Sequence, residues 1–190
     1  MNKLVKGAVA GAAGIALLLG GASTFALWNA SATASAGVVQ SGQLKLEKAT
    51  AAGTWTDLST GTPTTVANIA DYRMVPGSKL QFSQPLTVTA TGTNLRATLA
   101  ASLPGSDSGL GAQLTKSFAL TGQGGAALPT GFAKAGDAYT VTSTGTDPSA
   151  IVATYTIELP ASATGTAAQN GTLDLTKLTF TLTQLSITGA

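Results

Sequence analysis

The sequence predicts an all-β sandwich, on three observations. Short runs of alternating apolar and polar residues, rich in Thr and Val, recur about every 8–15 residues, which is the spacing of a sandwich or barrel. Gly and Pro punctuate them. No stretch shows a capping box leading into a 3.6-residue apolar period, so no helix is predicted beyond the N-terminal leader.

The elements follow in chain order. Residues 38–48 alternate around Val38, Leu44 and Leu46. Residues 54–56 with Leu58 form a short second strand, and 64–69 follow a Gly-Thr-Pro turn. Residues 72–77 are extended and end in Pro-Gly. Residues 79–91 form the longest run: Leu80 and Phe82 share a face that Leu86, Val88 and Ala90 continue. Pro85 interrupts this run and predicts an edge position, a bulge or a break. Residues 95–103 alternate at Leu95, Ala97 and Leu99. A loop over 106–112 precedes a strand over 113–120, where Lys116 shares a face with Leu114, Phe118 and Leu120. The Gly/Ala-rich stretch 122–136 reads as loop. Residues 137–142 make a strand through Tyr139 and Val141, then 143–149 turn. Ile151, Ala153, Tyr155, Ile157 and Leu159 line one face of the next strand. Loop 161–169 leads to a tight turn at Asn170-Gly171. Residues 172–188 close the chain, with Leu178, Phe180, Leu182 and Leu185 assigned to the core.

The N-terminus has the layout of an export signal. Lys3 and Lys6 supply the positive start, and residues 8–19 form an apolar run of 12. That is short for a bilayer span and suits a signal-peptide core. The alternative is an uncleaved anchor, but nothing charged or aromatic closes off a longer apolar span. Thr24 and Ala26 satisfy the small-residue rule for cleavage, giving a mature chain from Leu27. Ala34 and Ala36 satisfy it too, giving a start at Gly37. The expected organisation is a signal peptide over 1–26, an arm over 27–37 and a β-sandwich over 38–190.

This stretch also carries a resemblance. Gly20-Gly21-Ala22-Ser23-Thr24-Phe25-Ala26 ends the apolar core, Trp28-Asn29 follows, and Ser41-Gly42-Gln43-Leu44-Lys45-Leu46 comes about a dozen residues later. Over about the first 46 residues this resembles proteins with the SipW-dependent, alternate-type signal peptide, which include the TasA-type biofilm matrix fibre proteins and their camelysin-like relatives. The resemblance implies cleavage beside the aromatic, after Ala26 or Leu27, by a dedicated signal peptidase. It implies a jelly-roll-like sandwich, with an immunoglobulin-like one as the alternative. It also implies fibres built by donation of the N-terminal segment. The donor residues would be Leu27, Trp28, Ala30, Ala32, Ala34, Ala36 and Val38.

Charge narrows the function further. Without Lys3 and Lys6 the chain holds eight basic and eight acidic residues, a net charge of zero. That removes the case for nucleic acid or an anionic membrane surface, leaving the uncleaved signal as the one membrane contact. Near-zero charge favours self-association. The absence of cysteine in an exported chain suggests a bacterial exterior.

Histidine is absent as well. Ser-His-Asp and Cys-His catalysis and His- or Cys-based zinc sites are therefore excluded. So is the His-Glu-x-x-His site that the metallopeptidase label of the camelysin-like relatives would need. No two of the eight carboxylates stand out as a glycosidase pair. Asp107 with Ser106 and Ser108, and Asp147 with Thr146, are thin calcium candidates. Lys45, Asn68 or Asn94, and Glu158 are the residues from which an isopeptide bond would have to come. Leu128-Pro129-Thr130-Gly131 and Leu159-Pro160-Ala161-Ser162 only approximate sortase signals. The expectation is a non-enzymatic, cofactor-free protein of the extracellular matrix or cell surface that forms homo-oligomeric fibres. The alternative is a secreted adhesin or glycan-binding module using Trp55, Tyr72 or Tyr139.

Overall fold

A computed structural model describes residues 2–3, 38–143, 148–163, 166 and 168–186. The cleavage zone and arm lie outside them. The compact β unit begins at Gln40.

Ten strands are described: β1 Gln43–Lys48, β2 Thr54–Asp57, β3 Thr64–Val66, β4 Lys79–Thr91, β5 Arg96–Ser102, β6 Thr115–Gly122, β7 Phe132–Ala135, β8 Ala138–Thr142, β9 Ser149–Glu158 and β10 Thr179–Gln184. Every pairing is antiparallel. One sheet runs β3-β2-β4-β9-β6, with β1 also on β4; the other runs β10-β5-β8-β7. The sheets face each other through Leu80, Val88, Ile151 and Ile157 on one side and Leu99, Val141 and Tyr139 on the other. Phe118 of β6 meets Tyr139 of β8 edge-on at 5.6 Å between ring centres. The fold is thus the all-β sandwich that the alternation predicts.

The outer faces explain the composition. Ser83, Thr87, Thr89 and Thr91 of β4 point away from the core, as do Thr154 and Thr156 of β9. Threonine supplies β-branched stiffness and a wettable surface without charge.

Pro85 neither breaks nor bulges β4, which pairs with β9 from Lys79 to Val88 without interruption. The reason lies on the other flank. There β2 pairs with residues 80–83 of β4 and β1 with residues 86–91. Pro85 sits at the junction, so its missing N–H falls where no full ladder exists. Its carbonyl is satisfied by Ala49 N at 3.1 Å and by the Gln84 amide at 3.0 Å. Gln84 is buried on the core face and also donates to Ala51 O at 3.1 Å, so one amide bridges the gap between the two edge strands.

Other expectations need correction. Val38 is not in a strand; β1 begins at Gln43, because the chain first has to pass Gly42, where a Cβ would stand 2.2 Å from the Thr91 carbonyl. Residues 106–112 contain one helical turn, Gly109–Ala112. The stretch 122–136 is not all loop: β7 forms a hairpin with β8 across Gly136-Asp137, with Gly136 at φ 62°. Residues 172–178 are not strand, because Asp174 caps a 3-10 turn at Leu175–Lys177 by accepting from Thr176 N. Leu185 is exposed, on the opposite parity to Phe180 and Leu182.

Candidate assembly interface

A sandwich is open to strand addition wherever a sheet edge keeps free N–H and C=O groups. The margins of this one differ. At β6, Leu120 N donates to the buried Tyr139 hydroxyl at 3.1 Å, and Gly122 N donates to Ala126 O at 2.9 Å. Gly122 is needed there, since a Cβ would lie 2.3 Å from Ala127 O. That edge is sealed in part by the opposite sheet and by its own following loop. The edges at β3 and β7 are three and four residues long.

The remaining margins, β1 and β10, are six residues each and lie against one another across the sandwich. Their bonding parity follows from their ends. Ala49 N donates to Pro85 O, so the odd residues of β1 bond to β4 and Leu44, Leu46 and Lys48 turn their backbone groups outward. Leu185 N donates to Arg96 O at 2.8 Å, so Phe180, Leu182 and Gln184 turn theirs outward from β5. Among the described residues no hydrogen bond reaches these outward groups.

The same residues carry an apolar seam. Leu44, Leu46, Phe180 and Leu182 pack against the core yet stay half-buried. A cleft of about 420 Å³ is lined by Trp55, Phe82, Ile69, Leu173 and Leu178, the last of these next to the start of β10. Trp55 and Phe82 pair there at 5.0 Å between ring centres. Gly53 permits this, since a Cβ would overlap the Phe82 ring. Asp174 on the rim is already engaged. The Thr176 hydroxyl and N–H, with Lys177, hold its carboxyl below the usual range.

The residues named from the sequence fare unequally. Thr24, Ala26, Leu27, Trp28, Ala30, Ala32, Ala34 and Ala36 lie outside the described residues. Val38 and Val39 are both more than nine-tenths exposed. Of the aromatic reserves, only Trp55 lines the cleft. Tyr139 is buried, and the Tyr72 hydroxyl donates to Asp57 at 2.9 Å. Asp57 also accepts from the Ser59 hydroxyl and N–H, which lower its pKa, with Tyr72 adding to the effect.

Asp107 is paired with the Lys116 amine at 3.1 Å. That amine also donates to Ser106 O at 2.8 Å, which is how a lysine on the core face of β6 is tolerated: its stem packs inward and its head reaches the loop carbonyls. Asp147 and Thr146 lie outside the described residues. Lys45 pairs with Glu47 at 2.8 Å and Glu158 with Lys79 at 3.3 Å, so the isopeptide candidates are divided between separate ion pairs.

The β10 seam was missed in the sequence because Leu178, Phe180 and Leu182 look like any core alternation. Which strand ends up at a margin leaves no local trace. Compared with family models, curated proteins and solved structures, the chain matches none.

Proposed function

We propose that this protein is an exported structural subunit of the extracellular matrix or cell surface, with a jelly-roll-like sandwich. It polymerises when the N-terminal arm of one copy adds as a strand to a free edge of the next. The observation that carries the reading is the pair of edges, β1 and β10, whose outward backbone groups take no hydrogen bond among the described residues and belong to half-exposed Leu44, Leu46, Phe180 and Leu182. Strand addition gives affinity through main-chain bonds and specificity through alternate side chains. A head-to-tail contact of this kind need not close on itself, and where it does not it builds filaments. In the same reading the signal peptide is removed by a dedicated peptidase, and no catalytic residue or cofactor is involved.

The test compares a chain starting at Leu27 with one starting at Gly37, by sedimentation and negative-stain microscopy. Filaments from the longer chain and monomers from the shorter are expected. Monomers from both, at high concentration and at mildly acidic and neutral pH, would sink self-polymerisation. A second reading, a glycan-binding module, is favoured by one observation, the Trp55–Phe82 pair in an open cleft. A monodisperse chain whose Trp55 fluorescence responds to a polysaccharide would support it.

A further inference from the structure

Where β5 leads into β6, a second cavity of about 420 Å³ is lined from both sheets. We propose that it binds an alkylammonium group, held by the Asp137 and Asp107 carboxylates and the Tyr155 hydroxyl. None of these residues lies on β1 or β10, so the site stands apart from strand addition.

The fold assembles the site from separate elements. Pro104-Gly105 turns the chain after β5, with Gly105 at φ 80° and Ser106 N donating to Leu103 O at 3.2 Å. The turn buries Ser106 and sets Asp107 beside Lys116 of β6. Asp137 comes from the turn between β7 and β8. Tyr155 stands on the inner face of β9, between its cross-strand partners Phe82 and Phe118.

The first observation is the state of Tyr155. It is 6% exposed, yet among the described residues no hydrogen bond reaches its hydroxyl. Buried phenols ordinarily find a partner, as Tyr139 does in Leu120 N. Tyr155 lines the cavity, and the Asp107 charge is near enough to act on its phenol. The unfilled hydroxyl therefore faces the cavity.

The second is the balance of donors and acceptors. The Lys116 amine has three protons and meets three acceptors: Ser106 O at 2.8 Å, Asp107 Oδ1 at 3.1 Å and Gly111 O at 3.4 Å. It keeps none for a ligand. The Asp137 carboxylate has no hydrogen bond or ion pair among the described residues. What the site offers is mainly acceptors.

The third is charge. Two carboxylates and one amine leave a single negative charge in the cavity. An anion is repelled. A divalent ion would meet the Lys116 ammonium already seated on Asp107. A singly charged group with several N–H donors matches both the charge and the acceptors. Ala101 and Phe118 give its carbon stem an apolar wall.

The test is saturation-transfer NMR on the chain from Leu27. It reads the ligand whether the chain is monomeric or filamentous, so failure of strand addition leaves it intact. The probes are n-butylammonium, n-butanol, butyrate and a blocked Gly-Lys-Gly peptide. Saturable transfer to butylammonium is expected, with butanol and butyrate at least about fivefold weaker. Asp137→Asn and Tyr155→Phe should each weaken butylammonium about fivefold, while Asp174→Asn in the other cleft should leave it unchanged. Peptide binding as tight as butylammonium assigns a lysyl side chain as the source; weaker binding assigns a free amine, and either upholds alkylammonium recognition. Equal binding of butanol would overturn recognition by charge. Undiminished binding in both Asp137→Asn and Tyr155→Phe would overturn the site. No saturable transfer to butylammonium or the peptide would overturn the proposal outright. Circular dichroism checks the variants; if Tyr155→Phe unfolds, Asp137→Asn on its exposed turn decides alone.

Discussion

The two sides of this sandwich are built to different standards. Through β4, β5, β8 and β9 the inward residues are sealed: Leu80, Val88, Leu99, Val141, Ile151 and Ile157 are each less than 2% exposed. At the β1/β10 margin the inward residues are of the same chemical kind, yet Leu44, Leu46, Phe180 and Leu182 remain half-buried. A fully buried aliphatic side chain contributes about 1.5–3 kcal/mol, and a half-buried one correspondingly less. Stability is therefore concentrated in the closed side, and the open side keeps apolar area that a further strand would cover. The contrast extends to the backbone, since the β6 edge is capped by Tyr139, while among the described residues no hydrogen bond reaches the outward groups of β1.

The sharpest way to break this comparison is to cut equally on both sides. Leu99→Ala should cost about 2–5 kcal/mol in urea unfolding, because the closed core has little room to collapse around the cavity. Leu182→Ala, the same change at the open margin, should cost less than half as much. Equal losses would mean that the margin is as well packed as the centre.

Tyr139→Phe comes next. It leaves the Leu120 N–H buried without its acceptor, at a cost of about 1–3 kcal/mol. Hydrogen exchange at the Leu120 amide should speed up more than at its neighbours on β6. An unchanged amide would show that the hydroxyl does not seal that edge.

The pH limbs are smaller effects. Asp57 is held below its usual pKa by Ser59, first through the hydroxyl and then through the N–H, and by Tyr72; Asp174 is held below by Thr176 and Lys177. A lowered folded pKa adds stability above the unfolded carboxylate value of about 3.9, which is lost as pH falls through the folded value. Thermal melts should therefore decline below about pH 4, and Asp57→Asn should flatten that limb relative to the parent. An identical limb would remove Asp57 from the account.

At the alkaline end, burial pushes the Tyr155 phenol upward, with Asp107 adding to the shift. The folded state then holds its proton longer than the unfolded one. Stability is complete below about pH 10 and declines above it. Tyr155→Phe should lessen that decline in melts taken between about pH 9 and 11.

Much of the architecture was legible because strand alternation is local. The faces of β4 and β9 follow from Leu80, Leu86, Val88 and from Ile151, Ala153, Tyr155, Ile157, which keep one parity from end to end. The β7–β8 hairpin was readable in principle, since Gly136-Asp137 is a two-residue hairpin signal, but the surrounding Gly/Ala-rich stretch masked it. The C-terminal misreading had a different cause. Leu173, Leu175 and Leu178 are apolar enough for a strand, but Asp174 competes for the Thr176 N–H and turns the chain. Pro85 shows the limit most clearly. Its exclusion from a ladder is a local property, but the gap that accommodates it exists only because two separate strands meet along β4.

Residue types alone determined that this chain is a β-sandwich with a charge-poor, threonine-rich exterior. They also determined that it carries no histidine or cysteine chemistry, since those follow from period and inventory. Only the tertiary structure decided which edges are sealed and which are open. A hydrogen bond such as Leu120 to Tyr139 joins opposite sheets, and the exposure of Leu46 and Leu182 depends on strands that are neighbours in space and distant along the chain.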